Sequence, residues 1–139
     1  MDLRVINQKL ESLRNCISRL ETKIPSTAEI LSSDFDIQDI ISVNIERAVQ
    51  VSLDIAAHIG SEFDDIREFS AAGTFLDLAK HKVISEDLGR RLARTAGFRN
   101  LLVHRYASID WTRVFVFITT DLGVFRDFAR EIDSFCGQA

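Results

Sequence analysis

The chain has 139 residues, of which 46% are hydrophobic and 27% charged, with a formal net charge of −4. That length suits one domain, and the apolar share excludes a disordered polymer. Six glycines and one proline are too few turns for a many-stranded sandwich or barrel, and the acidic balance means that any nucleic-acid contact needs a local basic patch.

The first segment, from about Asp2 to Lys23, carries Leu3, Ile6, Leu10, Leu13, Ile17, Leu20 and Ile24 at steps of three or four. This is the apolar stripe of one amphipathic helix, and Pro25 ends it because proline lacks the amide donor and clashes with the preceding turn. A second helix is expected from Ser33 or Asp34, either of which can cap it, to about Ile59, with Gly60 just past the end. Its isoleucines and valines (Ile37, Ile40, Ile41, Val43, Ile45, Val49, Val51, Ile55 and Ile59) cannot all face one small core at 100° per residue. The helix is therefore central in a bundle, buried in a dimer, or both.

Residues 61–72 read as a connection. A short helix is expected over Gly73 to Lys82, and a fourth opens at Ser85, with Glu86 and Asp87 suited to its first turn. The last helix is expected to start after Asp110 and to run through Val114, Phe117, Ile118, Leu122, Phe125, Ala129 and Ile132. Val114 to Ile118 favours a strand locally, but the helical spacing continues beyond it, and Gly123 is tolerable at about 1 kcal/mol. Trp111 is expected to anchor that helix. The expected architecture is all-α: one domain over 1–139, an antiparallel bundle of about five helices, homodimeric.

Cys16 and Cys136 cannot build a disulfide framework, no C-x-x-C pair suggests zinc, and both are expected reduced and buried. No cofactor or metal is implied. The opening Met1-Asp2-Leu3-Arg4 lacks a basic head before an apolar run, and no apolar stretch reaches the ~18 residues of a membrane span. A cytoplasmic protein without membrane contact is expected.

Charge is unevenly placed. Between Asp87 and Asp110 no carboxylate occurs, while Arg90, Arg91, Arg94, Arg99 and Arg105 do, so this window carries +5 and the rest of the chain −9. Such a surface can hold a phosphodiester, with Arg90, Arg91, Arg94 and Arg105 as RNA-binding candidates. It can equally be a solvated helix face whose arginines pair with carboxylates of neighbouring helices.

Inside the window stands Arg99-Asn100-Leu101-Leu102-Val103-His104-Arg105-Tyr106. On a helix with Arg99 at 0°, Tyr106 falls at about 340°, Asn100 at about 100° and His104 at about 140°. Arg99 and Tyr106 then share one stripe, and Asn100 and His104 the next, at i,i+4 spacing. An imidazole moves protons near neutral pH, a guanidinium stabilises charge on a phosphate, and Asn100 can orient the imidazole or donate to a phosphate oxygen. Those are the parts of a metal-independent ribonuclease that uses the RNA 2′-hydroxyl as nucleophile. One chain offers one such histidine, whereas cleavage uses an acid and a base, so a symmetric dimer would complete the set. The same residues also suit a capped helix end with His104 and Tyr106 bonded into the bundle. His58, four residues after Asp54, suits a pair on the second helix; His81 reads as exposed; Glu46 and Arg47 suit pairing across a dimer.

The eight-residue segment resembles the R-x4-H-x-Y motif of the HepT toxins of the HEPN superfamily. Ala96-Gly97-Phe98 before it, Ile109-Asp110 after it, and the helix from Glu46-Arg47-Ala48-Val49-Gln50 through Asp54 to His58 are similar too. The likeness spans roughly residues 35–135. The resemblance implies a helical homodimer with Arg99 and His104 of both subunits, supported by Asn100, lining an RNA-cleaving cleft. It implies a type VII toxin–antitoxin system whose antitoxin is an MNT-type nucleotidyltransferase that silences the toxin by transferring AMP to Tyr106. A phosphate and its bulk beside Arg99 would occupy the place of the RNA phosphate. The alternative is a non-catalytic substrate-binding or helper subunit of a nucleotidyltransferase, and the remaining reading is a helical scaffold with no nucleotide link.

Overall fold

The computed structural model describes residues 1–63, 70–104 and 108–137, with Val103 and His104 described by their backbone alone. Among the described residues all regular structure is helical, in seven helices rather than five. None is long and apolar enough to cross a membrane.

Helix α1, Leu3–Lys23, is capped by Asp2, whose carboxylate accepts the Arg4 N–H at 2.9 Å. Ile6, Leu10, Leu13, Ile17 and Leu20 are buried along one stripe, and the helix stops at Ile24 before Pro25. A short helix α2, Ala28–Ser33, then intervenes between the two expected helices. Thr27 caps it, and Asp34 both closes α2 and caps α3, Phe35–Gly60. Six residues are under two turns, too short for a periodic stripe to show. The buried Gln38 amide donates to the Leu31 carbonyl at 2.8 Å and holds this corner.

The apolar breadth of α3 is explained by its position. It packs against α1, α2, α4, α5 and α7 and buries Ile41, Ile45, Ala48, Val49, Ile55 and Ile59. Polar links set the antiparallel pairing with α1: Asp2 N–H donates to His58 Nε2 at 3.1 Å, and Lys9 meets Asp54 at 3.5 Å.

Helix α4, Ala71–Lys80, is capped by Ser70 and forms a tight antiparallel hairpin with α5, Glu86–His104. In the turn between them Val83 N–H donates to the Leu78 carbonyl, and Lys82 N–H to that of Ala79, while Lys82 takes a left-handed φ of 60°. This is the Schellman arrangement, which usually places glycine where Lys82 stands. The close approach comes at Gly89, where an added Cβ would lie 2.8 Å from Ala79 Cβ and 3.4 Å from the Phe75 carbonyl oxygen. Gly89→Ala should therefore destabilise by about 1–3 kcal/mol despite alanine's better helix propensity; urea unfolding would measure it, and a gain in stability would contradict the packing argument.

The last expected helix is two: α6, Trp111–Thr120, capped by Asp110, and α7, Gly123–Gly137. The break at Asp121–Leu122 lets α6 turn to cover α2, while α7 continues along α1, α3 and α5. Arg14–Asp133 at 2.9 Å and an Arg126–Glu21 pair align α7 with α1. Arg91–Asp127 at 2.9 Å and Ser85 N–H to Glu131 at 2.6 Å align it with α5. These partly exposed pairs set register more than stability. Stability resides in the core, where Phe75, Phe125 and Phe128 are fully buried and Phe75 meets Phe128 edge-on at 6.0 Å. Cys16 is buried, which pushes its thiol up, whereas Cys136 is only half-buried, short of the expectation.

Candidate functional site

Helix α5 carries the candidate residues. Ser85 caps it as expected, its hydroxyl accepting the Leu88 N–H at 3.2 Å, with Glu86 and Asp87 in the first turn. Its first half is held between α4 and α7. Further along, Phe98 stacks on Phe117 of α6, with ring centroids 4.7 Å apart. The helix is described as far as His104, so Arg99–His104 of the motif occupy its last turns.

Arg99 is half-buried, and its Nε–H is buried with no hydrogen-bond partner among the described residues. A buried donor without an acceptor is uncommon in a folded protein. Asn100 beside it is exposed. His104 is placed by its backbone, while Arg105 and Tyr106 lie outside the described residues.

The described arginines do not form one face. Arg90 and Arg94, one turn apart, are both exposed, and Arg99 projects about 140–180° away around α5. Arg91 is neutralised in place: its guanidinium donates to Asp127 at 2.9 Å and lies 3.7 Å from Asp87. For Arg91 the solvated-face reading therefore holds, with the carboxylate supplied by a neighbouring helix. Arg90, Arg94 and Arg99 have no ion pair among the described residues.

The structure adds two residues that the one-helix pattern does not single out. Arg91, Arg94, Thr95 and Phe98 of α5 line a cavity of about 360 Å³ with Arg113, Val116 and Phe117 of α6, Asp121 and Val124. A second cavity of about 200 Å³ shares Phe98 and Arg113 with it and extends past Leu101 and Leu102 to Ser108, Ile109 and Asp110. Arg113 lay just beyond the basic window, three residues after the Asp110 cap, and its proximity to Arg94 depends on how α6 packs.

Other sequence candidates fall elsewhere. His58 bonds to the Asp2 backbone rather than to Asp54, which is engaged by Lys9 and by Gln50 at 3.0 Å. His81 is half-buried rather than exposed; its ring stacks near Phe63 at 4.4 Å, and its Nδ1 lies 2.9 Å from the Asp77 carbonyl. Glu46 and Arg47 are exposed. Trp111 is half-buried against the core at the first turn of α6.

Residues 13–132 match the model of a family described as Ribonuclease HepT-like, and the chain belongs to that family. It is 27% identical over 131 residues to a tRNA nuclease HepT of Aphanizomenon flos-aquae, covering 94% of this chain and 89% of that protein. It is also 27% identical over 106 residues to an mRNA nuclease HepT of Shewanella oneidensis, covering 76% and 79% respectively. Among solved structures, a toxin–antitoxin complex with AMP-PNP superposes with a TM-score of 0.86 at 25% identity, covering 94% of this chain and 98% of that one. The tri-AMPylated Shewanella oneidensis HEPN toxin in complex with its MNT antitoxin superposes with a TM-score of 0.85 at 27% identity, covering 96% and 99%.

Proposed function

We propose that the protein is the ribonuclease toxin of a toxin–antitoxin pair and cleaves RNA through Arg99 and His104 without a metal. The observation that carries this reading is the R-x4-H-x-Y sequence, whose Arg99 and His104 lie in the last turns of α5, with the buried Arg99 Nε–H left without an acceptor among the described residues. The nuclease names of its relatives and their toxin–antitoxin complexes support it.

In the proposed reaction the RNA 2′-oxygen attacks the adjacent phosphorus and the bond to the 5′-oxygen breaks. The His104 imidazole takes the 2′-hydroxyl proton, and His104 of the partner subunit in a homodimer gives a proton to the departing 5′-oxygen. Arg99 stabilises the charge that grows on the phosphate, and Asn100 orients the pair. The nucleophile belongs to the substrate, so the chemistry calls for no metal-bound water. Of the arginine candidates, Arg90 and Arg94 are free to hold RNA, Arg105 is a further candidate, and Arg91 is held by Asp127.

The proposed partner is an MNT-type nucleotidyltransferase that transfers AMP to Tyr106, placing phosphate and bulk beside Arg99. Incubation of the unmodified protein with RNA should leave 2′,3′-cyclic phosphate ends. Prior treatment with the antitoxin and ATP should silence it, and Tyr106→Phe should resist that silencing. Intact RNA after incubation with the unmodified protein would overturn the nuclease assignment.

A further inference from the structure

The groove beside α5 has a chemistry of its own. Its two cavities share Phe98 and Arg113 and lie next to each other, the larger beside Arg91 and Arg94 of α5 and the smaller beside Leu101, Leu102 and Ser108. The smaller cavity reaches Ser108, Ile109 and Asp110, and on α5 Phe98 stands about 9 Å along the helix axis from His104. The larger cavity, at about 360 Å³, lies within the size range of small-ligand sites.

Its charge is selective. Arg91 is neutralised by Asp127. Arg94 and Arg113 are exposed and have no ion pair among the described residues, and Asp121 stands on the same lining. Two free guanidiniums against one carboxylate leave about one positive charge, which matches one phosphodiester rather than a polyphosphate. Phe98 and Phe117, stacked with ring planes 24° apart, form an aromatic floor on the same lining. Cationic donors beside a stacked aromatic pair are the elements that recognise a nucleotide of single-stranded RNA.

We propose that this groove holds a nucleotide of the RNA strand flanking the cut, with its phosphate on Arg94 and Arg113 and its base against Phe98. The inference rests on the ribonuclease reading and deepens it: the strand is gripped on one face of α5 and cut at its end. Asp121 excludes additional phosphates and can accept from a base amino group.

The test is anisotropy of fluorescein-labelled 12-nucleotide single-stranded oligoribonucleotides, titrated at several salt concentrations with His104→Ala protein as the uncut background. Arg94→Gln and Arg113→Gln should each weaken binding about five- to tenfold and lower the salt slope by about 0.7, the value for one phosphate contact on a single strand. Phe98→Leu should weaken binding without changing the slope, and Arg19→Gln on exposed α1 should change neither. In cleavage by protein with His104 intact, the arginine substitutions should act on KM rather than kcat. Affinity and slope unchanged in both arginine variants would overturn the groove and leave the nuclease reading standing. Loss of self-association in place of RNA affinity, read by light scattering, would also overturn it and make the groove an interface between copies. Groove-dependent binding by a protein that cuts no RNA would keep the groove and reject the nuclease.

Discussion

Replacing His104 with alanine is expected to lower RNA cleavage by about a hundred- to ten-thousand-fold while leaving folding and RNA binding intact, since the imidazole is assigned proton transfer only. Arg99→Ala is expected to cost a comparable factor, about a hundred- to a thousandfold, by removing the guanidinium proposed to stabilise the developing charge. The two losses should not multiply, because both groups act in one step. Under the proposed homodimeric mechanism, in which one His104 is the base and its copy the acid, a rate maximum with pH is also expected for the unmodified protein. Cleavage by His104→Ala at the parental rate would remove the histidine from the mechanism, whatever else the site does.

The second large effect falls on stability. Phe128 is fully buried and meets the Phe75 ring edge-on, so its side chain joins α7 to the α4–α5 hairpin. Phe128→Ala should destabilise by about 3–5 kcal/mol, a large part of the roughly 5–15 kcal/mol that holds a domain folded. Arg91→Ala, which removes only a partly exposed ion pair between α5 and α7, should cost about 0–1 kcal/mol. Urea denaturation of both variants separates them. Equal losses would mean that the pair contributes as much as the aromatic core.

The breadth of apolar residues on α3 pointed to burial on several sides, and helix α1, its Pro25 stop, the caps Asp34 and Ser85, and the start of a helix after Asp110 were legible in the sequence because each depends on near neighbours in the chain. Helix α2 was not, because six residues cannot display a period. The α6–α7 break was hidden by a stripe that continues across it: Phe117, Leu122 and Phe125 are all buried although the helix stops at Thr120 and restarts at Gly123. For the candidate site, local spacing identified Arg99, Asn100 and His104 at the end of one helix. It could not separate Arg91 from Arg94, because what distinguishes them is Asp127, 36 residues from Arg91. Nor could it join Arg113 and Phe98 to the basic window, because their meeting depends on how α6 packs against α5.

Asp127 gives that pairing a wider consequence. Its carboxylate is shared by Arg91 and Arg130, at 2.9 and 3.1 Å, and it is absent from the groove lining. An arginine held this way is latent charge. Exchanging Asp127 for a neutral residue would leave Arg91 with Asp87 alone, at 3.7 Å, and so raise the positive charge of the groove without altering a residue of its lining. The salt dependence of any anion binding in the groove is therefore set in part by a carboxylate on α7 that does not line it.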